Sequence, residues 1–150
     1  MNILKLIFLS ITLISGTAFA QKRNFYADVQ VTEADSKSDF IWERENQHTP
    51  KYPIELARSG IMGCAVLSFN ITELGKTENV EVINSIPNKH LGKYSRKMLK
   101  KWKWILASNA VDASSEKRTL RLDYCIGEDS TEQTQKMCKQ QSQLTCASKV

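Results

Sequence analysis

Cys64-Ala65-Val66-Leu67-Ser68-Phe69-Asn70-Ile71 is the stretch whose reading decides the fold. Ala65, Leu67, Phe69 and Ile71 alternate with Cys64, Val66, Ser68 and Asn70. One face is apolar and the other mostly polar, the period of two that marks a half-buried strand. Just beyond, Glu73-Leu74-Gly75-Lys76 supplies a turn, with Gly75 able to take a positive φ. A second strand follows from Asn79 to Ser85, with Val80 and Val82 on one face, so the two read as a hairpin that ends at Pro87.

Working outward, the period changes. Leu91, Tyr94, Met98, Leu99, Trp102, Ile105 and Leu106 recur at three- and four-residue spacing and predict an amphipathic helix that runs to Leu106. Lys93, Arg96, Lys97, Lys100, Lys101 and Lys103 cover its other side. Asn109 to Lys117 is polar and reads as a loop. In a third strand, Leu120, Leu122, Tyr124 and Ile126 alternate with Arg121, Asp123 and Cys125. Upstream of the hairpin, Pro50 and Pro53 precede a short helix, Ile54 to Ser59, that Gly60 stops. The order helix, strand, strand, helix, strand predicts an α+β fold: a three-stranded antiparallel sheet with helices packed on one face.

The flanks read differently. Lys5 and the apolar run from Leu6 to Ile14 lead to Ala18-Phe19-Ala20, a small-x-small cleavage pattern, so residues 1–20 are expected to be a removed secretory leader. The apolar run is shorter than the ~20 residues a membrane span needs, and Gln21-Lys22-Arg23-Asn24 is polar. Residues 21–49 form a polar extension in which Tyr26 to Val31 alternates weakly as a strand and Phe40, Ile41 and Trp42 can dock on a core. The domain proper is expected at 50–127, with a Gln-, Lys- and Thr-rich tail at 128–150. About 130 residues remain after cleavage, enough for one compact domain. A formal charge of +5 is compatible with anionic envelope surfaces without demanding nucleic acid, which export also argues against.

Four cysteines in an exported chain favour disulfides, with three pairings open. Cys64 begins the first strand and Cys125 ends the third, both on the polar face. Antiparallel pairing that sets 64 opposite 125 also sets Val66 against Asp123 and Ser68 against Arg121, and predicts a Cys64–Cys125 bond. Closing so long a loop is worth on the order of 3–4 kcal/mol. Cys138 and Cys146 are left over; on one helix they would sit ~12 Å apart, so a Cys138–Cys146 bond requires the tail to turn back. No Cys-x-x-Cys pair is present, and His48 and His90, the only histidines, have no metal-ligand or triad neighbours. Neither an enzyme nor a cofactor is expected.

Taken together, these residues resemble the TonB C-terminal domain family. Tyr52-Pro53 and Ala57 are similar to its opening, and Gly60, Ile61 and Gly63 to its approach to the first strand. Phe69-Asn70-Ile71-Thr72, Gly75-Lys76 and Asn79-Val80-Glu81-Val82 resemble its hairpin, Ile83-Asn84-Ser85-Ile86-Pro87 the end of its second strand, and Lys100-Lys101-Trp102-Lys103-Trp104 the end of its helix. The likeness spans about Pro50 to Ile126. Leu106 and Met98 depart from it, since the family has a proline after the Trp motif and a small residue on the helix. The Pro-rich spacer of a full energy transducer has no counterpart in residues 21–49.

The resemblance implies a periplasmic module, linked to TonB-dependent transport, that binds an outer-membrane receptor peptide by strand addition, which satisfies unpaired N–H and C=O groups of a sheet edge. The third strand is the expected edge, through Arg118, Thr119, Leu120, Arg121, Leu122, Asp123 and Tyr124, with Tyr52 and Arg58 flanking the peptide. Alternatively the C-terminal tail lies across that edge, or the chain dimerises by exchanging the third strand. A reading of another class makes the protein an unenergised scaffold that sits on anionic envelope surfaces through the basic helix face, although most such faces are only solvated.

Overall fold

The computed structural model describes residues 24–36 and 39–146, so the leader lies outside the described residues. In chain order the elements are β1 (Tyr26–Glu33), β2 (Trp42–Arg44), α1 (Ile54–Arg58), β3 (Gly63–Ile71), β4 (Thr77–Ile86), α2 (Asn88–Leu99), β5 (Trp104–Leu106), β6 (Glu116–Gly127) and α3 (Thr131–Gln141). The main sheet has four strands, not three, in the order β1-β6-β3-β4, and β2 and β5 form a small second ladder. All the pairings are antiparallel.

The β3–β4 hairpin forms as its alternation requires. Gly75 turns at φ 67°, and a Cβ there would stand 2.2 Å from the Trp104 carbonyl oxygen, so only glycine fits. Ala65, Leu67, Phe69 and Ile71 of β3 and Leu120, Leu122 and Tyr124 of β6 are buried on one face, under Leu56 of α1 and Leu91 and Leu99 of α2. Burying one such leucine is worth about 1.5–3 kcal/mol, so this front layer supplies most of the apolar stabilisation.

β3 pairs with β6 as expected, but two residues out of the expected register: Cys64 faces Asp123 and Val66 faces Arg121. A slip of two leaves every side chain on its own face, so the alternation cannot distinguish the two registers.

That slip separates Cys64 from Cys125 and overturns the expected bond. The pairs are Cys64–Cys146 and Cys125–Cys138, and neither expected bond forms. The tail is helical through Gln141 and lies on the back face, against β1 and β6. The helices therefore cover both faces of the sheet, α2 the front and α3 the back. The back layer is polar: within α3 only Thr134 and Cys138 are buried, and they are joined there by Cys64, Asp123 and Cys125 of the sheet. Asp123 is fully buried, takes two 2.8 Å bonds from Arg121, and accepts from Gln141 Nε2 at 3.1 Å.

α2 stops at Leu99, short of the expected Leu106. Beyond it, tertiary partners claim the chain. The Trp104 amide donates to Gly75 O (3.0 Å), its indole donates to Thr77 Oγ1 (2.8 Å), and its ring stacks on Phe69 at 5.5 Å. Ile105 and Leu106, which carried the helical spacing, are exposed in β5.

Candidate functional site

β6 is not an edge. β1 pairs with it along a register that runs unbroken from Tyr26↔Gly127 to Glu33↔Leu120. The groups expected to meet a peptide are thus occupied. Thr119 accepts from the Ala34 amide (3.0 Å), and its own amide donates to Asp35 Oδ2 (2.6 Å). Leu120, Leu122 and Tyr124 are core residues. Arg121 is spent on Asp123 and on the carbonyls of Gln141 and Leu144.

Arg118 is 4 % exposed and holds the N-terminal segment down. Its guanidinium donates to Trp42 O (2.7 Å), pairs with Glu33 and, at 3.5 Å, with Glu116, and lies over Phe40 at 3.9 Å and over Trp104 at 5.0 Å. Burial pushes the Glu33 carboxyl above its ordinary range, and the charge of Arg118 only partly offsets this.

Among the described residues no further strand pairs with the outer side of the sealing strand, where Val31 O accepts only from Gln30 Nε2 at 3.3 Å. Since Ala34 bonds inward, the alternation of an antiparallel ladder turns the backbone groups of Ala27, Val29, Val31 and Glu33 outward. A cleft of about 710 Å³ runs beside Val29, Val31 and Glu33 and stops short of Ala27. β1 contributes Val29, Gln30, Val31 and Glu33 to it, and Phe40, Trp42, Arg44, Gln47, Pro50 and Trp102 are among its other lining residues. The other edge, β4, is irregular: its pairing with β3 shifts twice, and Asn79 takes φ 52°. Bulges of this kind blunt an edge against further pairing.

The remaining expected site residues lie apart. Tyr52 packs on the core, donates to Ile61 O at 2.6 Å and meets Tyr124 edge-on at 5.4 Å; burial raises its pKa. Arg58 is exposed at the end of α1 and lines neither this cleft nor the groove described next. Lys93, Arg96, Lys97, Lys100, Lys101 and Lys103 are all exposed, but the structure divides them. Lys97, Lys101 and Lys103 line a second groove, whereas Lys93, Arg96 and Lys100 do not. The β1 edge escaped the sequence reading because alternation marks a strand without saying where it pairs. Among the described residues no group of His, Cys, Asp and Glu could hold a metal ion, and no helix is long and apolar enough to cross a membrane.

The family model for the Gram-negative bacterial TonB protein C-terminal matches residues 48–125, more than half of the chain. The chain belongs to this family. TonB C-terminal domains are periplasmic, non-enzymatic interaction modules that engage outer-membrane receptors in TonB-related transport. The match takes in α1, β3, β4, α2, β5 and nearly all of β6, and leaves out β1, β2 and α3. Among solved structures, the chain is similar to the solution NMR structure of the Pseudomonas aeruginosa TonB CTD, at 21% identity over 57% of this chain and 86% of that chain, with a TM-score of 0.45. No curated protein matches.

Proposed function

We propose that this TonB C-terminal domain takes up a receptor segment as an added strand on the outer edge of β1, in the cleft beside it, as part of TonB-dependent transport. The observation that carries the reading is the closure of β6 by β1, an element outside the family match, whose unbroken register leaves a regular edge at Ala27, Val29, Val31 and Glu33. An extended peptide there satisfies outward N–H and C=O groups, and its side chains reach the aromatic lining. Displacing β1 to reach β6 is the costlier route. It would unbury Val29, which is 1 % exposed, and strip Arg118 of Glu33.

The test is a titration of the protein with synthetic peptides from receptor plug domains. Ala27→Pro removes one outward N–H from an exposed position. It is expected to weaken binding about tenfold with the melting temperature little changed. Undiminished affinity in this variant would remove β1 from the reading. The same proposal places the mature protein in the periplasm after cleavage behind Ala20. Mass spectrometry of envelope protein should then find Gln21 as the first residue.

A further inference from the structure

The second groove encloses about 960 Å³ between α2 and the segment that carries β2. Tyr94, Met98 and Trp102, all half-buried against the core, line its apolar part. Arg44, Lys51, Lys97, Lys101 and Lys103 line it as well, against only Glu45 and Glu55. Arg44 is already fixed: it lies over Trp102 at 4.5 Å and donates to His48 O at 2.9 Å. Among the described residues none of the four lysines is in an ion pair, so their charge is available to a ligand.

We infer that this groove is a second binding site, for an acidic peptide segment that carries an aromatic or aliphatic side chain between its carboxylates. The apolar lining takes the side chain, and the rim cations take the carboxylates. The shape selects against a lipid surface. A planar headgroup layer would meet Lys93, Arg96 and Lys100, which project outside the groove, more readily than lysines gathered around a concavity. Glu45 and Glu55 on the rim oppose a continuous phosphate chain, whereas a peptide can space its charges around them. The site shares Arg44, Thr49, Pro50 and Trp102 with the cleft along β1, but none of its four lysines lines that cleft. The inference therefore does not depend on strand addition.

A capped peptide of alternating Glu and Phe, titrated into the disulfide-intact protein and followed by fluorescence anisotropy, tests it. Lys97→Glu/Lys101→Glu should weaken binding about tenfold or more, while Lys93→Glu/Lys100→Glu, the same charge change outside the groove, should leave it within about twofold. Replacing the peptide's Glu with Gln should abolish binding, and emission from Trp102 should shift on addition of the acidic form. Equal losses in the two variants would mean diffuse attraction and overturn the site. So would the absence of binding, or the loss of binding in Ala27→Pro, which would place the ligand on β1. Sedimentation with phosphatidylglycerol vesicles that depends equally on both lysine pairs, with no peptide binding, would assign the charge to a membrane surface instead.

Discussion

Arg118 shows what a single buried charge does in this fold. It is the common partner of Glu33, Glu116, Trp42 O and two aromatic rings, and thereby ties β1 and the Phe40–Trp42 segment to β6. Burial outweighs the ion pair for Glu33, whose carboxyl stays above its ordinary range, so the pair serves position more than net stability. Arg118→Met should cost about 1–3 kcal/mol, because it leaves the Glu116 carboxylate without its cation and Trp42 O without its donor while Glu33 stays open to water, whereas Glu33→Gln should cost about 1 kcal/mol or less. Urea midpoints at unchanged slope would show both. Tyr124 sets a second residue-scale expectation. Burial pushes its hydroxyl up to about 12 from 10.0, against the lowering effect of the hydrogen bond with Ser95. A raised folded-state value means that its stabilisation is fully present below about 10 and is lost as pH climbs toward about 12. Tyr124→Phe should therefore be less stable at neutral pH by about 1 kcal/mol, for the hydrogen bond lost at Ser95, yet decline less steeply in alkali. Midpoints measured across the alkaline range would test the sign.

Among the elements, α3 is held unlike the others. α2 docks through Leu91 and Leu99, while α3 buries only Thr134 and Cys138 and relies on the two disulfides and on Gln141, which bonds Gly63 O at 2.9 Å and Asp123. A lone helix of 11 residues is marginal in water. By chain entropy the 13-residue separation of Cys125–Cys138 is worth about 3 kcal/mol and the 82-residue separation of Cys64–Cys146 about 4.5 kcal/mol. Reduction should thus free α3 first. Hydrogen exchange after thiol treatment is expected to rise through Thr131–Gln141 while β3 and β6 stay protected. Simultaneous exchange of all three would show that the back layer is not a separate unit. The legibility of each element follows the same physics. β3 and β6 were readable because each shows a full apolar face to one core, and β4 because Val80 and Val82 alternate just beyond the Gly75 turn that ties it to β3. α3 was not, because its buried residues are Thr134 and Cys138, with half-buried Gln141 beside them, and these carry no helical apolar stripe. α2 was over-extended because Trp102, Ile105 and Leu106 keep its spacing while β5 pairs elsewhere.

For the whole molecule, the elements outside the family match close what the matched core would leave open. β1 closes the β6 edge, and α3 closes the back face. A chain truncated to remove residues up to Ser36 should expose the β6 edge and form concentration-dependent dimers, detectable by analytical ultracentrifugation, since an open regular edge pairs with its like. A strictly monomeric truncation would mean that β6 is protected without β1. The candidate site was expected from the sequence on β6, and the structure places β6 between β1 and β3. Strand addition follows from the family likeness, but the edge assigned to it lies in the middle of the sheet.

The sequence by itself determined the strands β3, β4 and β6 and the helices α1 and α2 of the matched core, though not the point where α2 gives way to β5, together with the turn at Gly75 and the family. Those properties come from spacing between near neighbours, which the chain carries locally. Only the tertiary structure decided that β1 seals β6, that the β3–β6 register stands two residues from the expected one, and that the cysteines pair Cys64–Cys146 and Cys125–Cys138. Each of these joins segments far apart in the chain. A period of two leaves registers that differ by two residues, and alternative edges, with the same pattern, so packing alone selects among them.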